Sequence, residues 1–211
     1  MQNYCCFVLT RAKLMAEYMH QDSELWNLVK VGDEAAYAVL FRKYYASLLS
    51  YGKSLTAHQS MVGDCVQEVF IEVWIYRQNL TVPSSVKAYL LAGVRKRIAR
   101  RLERDRIFKN ARDVEDVDFS FHFTPLDEMI SDEETHRQVY QLNMLLNQLP
   151  ARQKEALYLR YHQELDIDEI ARLMQINPQS ASNLLHRGIK HIRGAWVGEL
   201  HTVTLIFYMY F

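Results

Sequence analysis

Apolar residues recur every three to four positions through most of the chain, the period of an amphipathic helix. After Asp33, which predicts an N-cap, Tyr37, Leu40, Phe41, Tyr44 and Leu48 fall on one stripe. Val62, Val66, Val69, Phe70 and Val73 predict a further helix. The segment Asn79 to Ser85 breaks the pattern: Pro83 stops the helix, and Ser84 or Ser85 can cap the next. From Val86 onward Leu90, Val94, Ile98 and Leu102 step by four. This half predicts a bundle of about four helices. Periodicity is lost from Asp113 to Ser131, where acids mix with Phe119, Phe121, Phe123 and Pro125. That composition predicts a linker, and its phenylalanines predict that part of it docks on an apolar surface. The period resumes near Asp132 with Val139, Leu142, Leu146 and Leu149. Pro150 ends that helix and can begin another through Leu157 and Tyr161. Asp166 and Glu169 make a capping box ahead of Ile167, Ile170, Ala171 and Met174. Gln175-Ile176-Asn177 makes a turn, and Pro178 suits the first residue of the next helix.

Seven Gly and four Pro in 211 residues are too few for a sheet protein with many tight turns. The expected fold is all-α: two small helical domains, an N-terminal bundle and a C-terminal four-helix domain, joined by a flexible acidic linker. The expected boundaries are an N-terminal extension over 1–21, domains over 22–112 and 132–197, the linker over 113–131 and an apolar tail over 198–211. The run Tyr4 to Leu9 lacks a preceding basic segment, so it makes a poor signal peptide. It also falls outside the periodic pattern, which admits a native start at Met15 or Met19. The tail from Val203 to Phe211 is about half of the roughly twenty apolar residues that span a membrane. Cys5, Cys6 and Cys65 supply neither a disulfide framework nor a metal quartet, as expected of reduced thiols in the cytoplasm.

The formal charge is zero, but the charges are sorted. Lys87 to Arg112 holds ten Lys or Arg against Glu103 and Asp105, and Asp113 to Glu134 holds nine acids and no Lys or Arg. A basic helix carrying Arg95, Lys96, Arg97, Arg100, Arg101, Arg104 and Arg106 repels itself unless phosphates neutralise it. Tyr76 and Tyr89 flank the break before it, placed to stack on unpaired bases. The helix from Pro178 puts Ala181, Leu184, Leu185, Gly188 and Ile192 on one side. Gln179, Ser182, Asn183, His186, Lys190 and Arg193 lie on the other, with Arg187 beside them. No acid occurs from Pro178 to Val197. Amides and Arg pair with base edges and Lys meets phosphate, so the preceding short helix, the turn and this helix form a helix-turn-helix. Asp64, Gln67, Glu68, Ile71 and Glu72 share one side of their helix, with Phe70 and Trp74 nearby. A rim of acids around large apolar residues suits docking of a basic partner helix better than acid–base catalysis. The histidines are scattered and no Ser-His-Asp set, HExxH or phosphate loop occurs. No enzyme, metal, cofactor or small-molecule substrate is expected.

Two separated stretches resemble the extracytoplasmic-function (ECF) class of bacterial sigma-70-type sigma factors. The first runs from Gly32-Asp33-Glu34-Ala35-Ala36-Tyr37 through Arg42-Lys43-Tyr44-Tyr45, Asp64-Cys65-Val66-Gln67-Glu68-Val69-Phe70 and Trp74 to the basic helix, and is similar to region 2. The second runs from Leu149-Pro150 through Tyr158-Leu159-Arg160-Tyr161, Ile170-Ala171 and His186-Arg187-Gly188 to Arg193, and is similar to region 4. The resemblance implies that Asp64, Gln67, Glu68, Phe70, Glu72 and Trp74 grip a coiled coil of the polymerase β′ subunit, with the β flap a second contact. It implies that Leu80, Ser84, Lys87, Tyr89, Arg95, Lys96, Arg97 and Arg100 capture and open the −10 element, whose flipped base enters the loop before Ser85. It implies that Gln179, Ser182, Asn183, His186, Arg187 and Lys190 address the −35 element. An anti-sigma protein covering both domains is the further implied partner, and the linker would hold the domains apart by the promoter spacing. The family commonly has Trp where Tyr89 stands, and Asn and Asp where Lys96 and Ala99 stand, so this helix is more basic than its relatives.

Two other readings fit parts of the chain. A helix-turn-helix regulator with an N-terminal sensing domain explains the C-terminal half but neither the acidic nor the basic helix. A nucleic-acid-modifying enzyme would need a catalytic set that the sequence does not offer.

Overall fold

The stripe after Asp33 becomes a helix because each of its buried residues lands on the same face. In the computed structural model, which describes residues 22–108, 119 and 133–196, Leu40, Tyr44 and Leu48 are all buried. The elements are α1 (22–30), α2 (Glu34–Ser54), α3 (Ser60–Tyr76), a 3₁₀ turn (Arg77–Asn79), α4 (Val86–Phe108), α5 (Glu133–Gln148), α6 (Ala151–Leu157), a π turn (Tyr158–His162), α7 (Ile167–Met174) and α8 (Pro178–Ala195). The described residues contain no strand. The extension, the tail and the linker apart from Phe119 lie outside the described residues.

Helix ends follow the sequence signals. Gly32 at φ +92° closes α1: the Asp33 amide donates to the Leu28 carbonyl (3.0 Å) and the Gly32 amide to that of Val29 (3.0 Å). Asp33 then caps α2, its carboxylate accepting from the Ala36 amide at 2.9 Å. Of the two candidate serines it is Ser85 that caps α4, its Oγ accepting from the Ala88 amide at 3.2 Å. The capping box is present on α7: Asp166 accepts from the Glu169 amide and Glu169 from the Asp166 amide, both at 2.7 Å. Gln175 takes the left-handed conformation that ends α7. Asn177 caps α8 by accepting from the Ser180 amide at 2.7 Å, with Pro178 in its first turn.

In the N-terminal bundle α2, α3 and α4 pack pairwise, and α1 buries Trp26 and Val29 in the same core. Asp22, 3 % exposed, ties α1 to α2 by accepting from Lys43 Nζ and Tyr44 Oη. In the C-terminal domain α8 rests on α6 and α7. Gly188 permits this approach, since a Cβ there would stand 2.9 Å from Leu157 Cδ1. Beyond Leu157 the helix widens, the Gln163 amide reaching back to the Tyr158 carbonyl (3.1 Å).

The two domains are not held apart. One continuous apolar cluster runs through both, and α4 lies against α7. Phe119, fully buried, packs against both Tyr51 of α2 and Tyr158 of the π turn, at ring-centroid distances of 6.4 and 5.4 Å. The expectation that a linker phenylalanine docks on an apolar surface is met there. The separation set by the promoter spacing is an expectation for the promoter-bound factor; here burial of three aromatic rings holds the two domains against each other.

Candidate polymerase and nucleic-acid interfaces

Three surfaces hold the residues from which those contacts are expected. On α3, Asp64, Glu68 and Glu72 occur every fourth residue and so form one row, with side chains 67, 50 and 53 % exposed. Gln67 is exposed beside them, and Ile71 and Ile75 add exposed apolar surface that solvent alone does not favour. Arg97 of α4 reaches Glu72 and, at 3.5 Å, Glu68, while Arg101 approaches Asp64 (3.8 Å) and Glu68 (3.7 Å). These cations hold the row against α4 but leave its outer side open.

Phe70 is a correction. Expected among the docking residues, it is 1 % exposed and packs on Phe41 (4.8 Å) and edge-on to Tyr37 (6.4 Å). It belongs to the stripe of Val66, Val69 and Val73, one turn from Val66, and so points into the bundle. Trp74 is half-buried, tilted on Tyr37 at 4.9 Å and covered by the Arg77 guanidinium at 4.3 Å. Ile75, which periodicity alone did not single out, is the more open apolar side chain at 61 % exposure.

The second surface comprises the break and α4. Ser84 is exposed and Leu80 half-buried. Trp26, unnoticed in the sequence, supports both sides of this surface: its indole N–H donates to the Thr81 carbonyl (3.2 Å), and its ring meets Tyr89 edge-on at 5.4 Å. Tyr89 keeps an exposed side. The α4 cations separate by helical phase. Lys96 and Arg100 are exposed and line a cleft of ≈ 520 Å³ with Tyr89 on one wall and Arg172 of α7 on the other. Arg97 is turned to the α3 acids. Arg95 is turned to the C-terminal domain, where its Nε and Nη2 donate to the two Glu155 oxygens at 2.7 and 3.2 Å. Burial disfavours the Arg95 charge, but the hydrogen bond and charge of Glu155 outweigh it and raise its pKa. Lys87 is half-buried at the same boundary; desolvation lowers its pKa against the opposing pull of Glu164, Glu169 and Asp22.

The third surface is α8. Ala181, Leu185, Gly188 and Ile192 are buried, while Gln179, Asn183, His186, Arg187 and Lys190 are exposed and Ser182 half-buried. Gln179 Nε2 donates to Asn183 Oδ1 at 3.2 Å, so these two amides are already aligned along the helix. The geometry is that of a recognition helix set on a short supporting helix. Among the described residues no cluster of three or more His, Cys, Asp or Glu could hold a metal.

Comparison with known proteins agrees with this arrangement. The family model "Sigma-70 region 2" matches residues 40–116 and "Sigma-70, region 4" matches residues 140–192, together more than half of the chain. No curated protein sequence matches the chain. Among solved structures, the sigma factor RpoE in complex with the anti-sigma factor NepR from Bartonella quintana is similar at a TM-score of 0.55 and 17 % identity, over 75 % of this chain and 94 % of that one. CnrH in complex with the cytosolic domain of CnrY is similar at 0.54 and 14 % identity, over 82 and 95 % of the two chains. At such identities the likeness speaks to the fold. The two family matches, in order and each on the domain whose surface suits it, make this chain a member of the sigma-70 family of RNA polymerase sigma factors, with the region 2 and region 4 architecture of the ECF class.

Proposed function

We propose a division of labour within this sigma factor. The N-terminal domain, residues 22–112, fastens to the polymerase β′ coiled coil through Asp64, Gln67, Glu68, Glu72 and the rim of Trp74, joined by Ile71 and Ile75. It addresses the −10 element through Leu80, Ser84, Lys87, Tyr89, Lys96 and Arg100. The C-terminal domain, residues 132–197, reads the −35 element through Gln179, Ser182, Asn183, His186, Arg187 and Lys190. Its exposed pair Tyr140 and Met144, one turn apart on α5, offers an apolar contact for the β flap. The observation that carries this reading is the coexistence of two unlike faces: an open row of carboxylates beside exposed isoleucines on α3, and an acid-free amide and cation face on α8. A helix-turn-helix regulator needs only the second.

The chain supplies specificity, and polymerase supplies the chemistry. Its place of work is the cytoplasm, where polymerase and DNA are; no described helix is long and apolar enough to cross a membrane. A regulatory partner of the anti-sigma kind is part of the proposal, supported by RpoE, which was solved bound to the anti-sigma factor NepR. Run-off transcription with core polymerase on genomic fragments tests the reading. Wild type gives discrete transcripts, and Glu68→Lys loses polymerase association while the full chain keeps its affinity for duplex DNA. Polymerase association at the wild-type level in that variant refutes the docking role, and loss of both activities marks misfolding.

A further inference from the structure

The side chain that closes the two domains together grips a cation that DNA would use. Glu155 is 2 % exposed, although it lies in the run Arg152-Gln153-Lys154-Glu155 at the start of a helix, where an acid is ordinarily solvated. It accepts from both Arg95 nitrogens and, at 2.7 Å, from Tyr51 Oη. Two parallel N–H donors of one guanidinium aimed at two oxygens are also how arginine holds a phosphate. Around this pair Tyr51 and Tyr158 stack at 5.9 Å, Phe119 packs against both rings, and Ser47 Oγ donates to Gln163 Oε1 at 2.8 Å. Lys87 is drawn into the same boundary among acids of the C-terminal domain. The base-facing side of α8 remains exposed.

We propose that Glu155 is an intramolecular latch: it stands in for a DNA phosphate on Arg95, so the free factor closes region 4 against the −10 helix and withholds Arg95 from DNA while Lys96 and Arg100 stay exposed. This rests on the assignment of α4 to the −10 element. A buried ion pair adds little net stability but is strongly destabilised when one partner is lost, which makes an interface closed in one state and readily released in another. Opening frees Arg95 for phosphate and lets the two reading domains separate. A closed form also lowers the apparent DNA affinity by the fraction of molecules that are open.

The test uses the full chain and Glu155→Gln, which keeps the shape and removes the charge. Small-angle scattering reads closure without DNA or polymerase. Fluorescence anisotropy with a labelled mixed-sequence single-stranded oligonucleotide reads whether Arg95 is available. The expected result is a larger radius of gyration for Glu155→Gln at unchanged helical circular dichroism. Binding tightens roughly tenfold if about a tenth of wild type is open. The salt slope steepens by about 0.7, the value for one further phosphate on a single strand. Adding Arg95→Ala to Glu155→Gln abolishes the gain. Charge exchange, Arg95→Glu with Glu155→Arg, restores closure without restoring DNA affinity. Unchanged scattering and affinity in Glu155→Gln overturn the latch, as does opening without tighter binding. If Glu155→Gln loses helical signal, Arg95→Gln, which removes the cation from the pair and leaves Glu155 in place, decides: wild-type scattering there overturns the proposal. Failure of wild type to support run-off transcription refutes the sigma reading beneath it, independently of the scattering result.

Discussion

Moving Phe70 from the docking surface to the core has a measurable consequence. Phe70→Ala removes a ring that is 1 % exposed and leaves a cavity, at a cost of about 3–5 kcal/mol, enough to unfold a marginal domain. Phe70→Leu is the more informative change. It retains most of the apolar volume but loses the ring contacts with Phe41 and Tyr37. Each such pair contributes roughly 0.5–1.5 kcal/mol beyond area burial, so a loss of about 2 kcal/mol is expected. If the bundle melts alone, as a domain of 60–100 residues, that lowers Tm by roughly 8–16 °C. If the continuous core makes both domains melt together, the shift is about 4–8 °C. Circular dichroism melts give the shift, and a pull-down with core polymerase well below the melt gives the docking. Ile71→Ala is the converse control: its side chain is exposed, so stability changes by less than about 0.5 kcal/mol while polymerase association weakens. Phe70→Leu melting at the wild-type temperature yet failing to bind polymerase would return Phe70 to the contact surface and refute the packing argument.

Three further outcomes are expected. Arg187→Ala weakens binding to −35 duplex and, where Arg187 meets phosphate, reduces the salt slope by about one, read by anisotropy titrations at several salt concentrations; an unchanged affinity removes α8 from the interface. Asn177→Ala removes the α8 cap and costs about 1 kcal/mol, seen as a lower calorimetric Tm that Asn177→Asp recovers. Trp26→Phe keeps an aromatic ring against Tyr89 but loses the N–H to the Thr81 carbonyl. Permanganate footprinting should then show slower strand opening at unchanged polymerase association, and opening at the wild-type rate would deny Trp26 a positioning role.

What the sequence disclosed and what it concealed divide along physical lines. Helix caps, stripes and the turn before α8 depend on residues within one or two turns of each other, and Asp33, Asp166, Asn177 and Pro178 act where local chemistry places them. Phe70 was legible as well, since it shares the stripe of Val66, Val69 and Val73; its neighbours Glu68 and Glu72 drew it wrongly onto the polar side. Glu155 was not legible. Its partners Arg95 and Tyr51 stand 60 and 104 residues away, and nothing within its own helix distinguishes it from a solvated acid. Trp26 was hidden for the same reason, its acceptor lying 55 residues on.

The basic helix shows why counting charge along a chain overstates a nucleic-acid surface. Successive residues on an α-helix are 100° apart, so positions 95, 96 and 97 face three directions and positions 100 and 101 repeat the last two. In this fold the three directions meet three different neighbours. Arg97 and Arg101 meet acids of α3, Arg95 meets Glu155, and Lys96 with Arg100 meets solvent. Only the last row is available to phosphate while the domains are closed. The self-repulsion that the sequence implied is therefore relieved largely within the protein, by carboxylates that arrive from another helix and from another domain. Among these cations Arg95 is thus the one whose neutralisation comes from the other domain, so its charge balance depends on how the two domains pack.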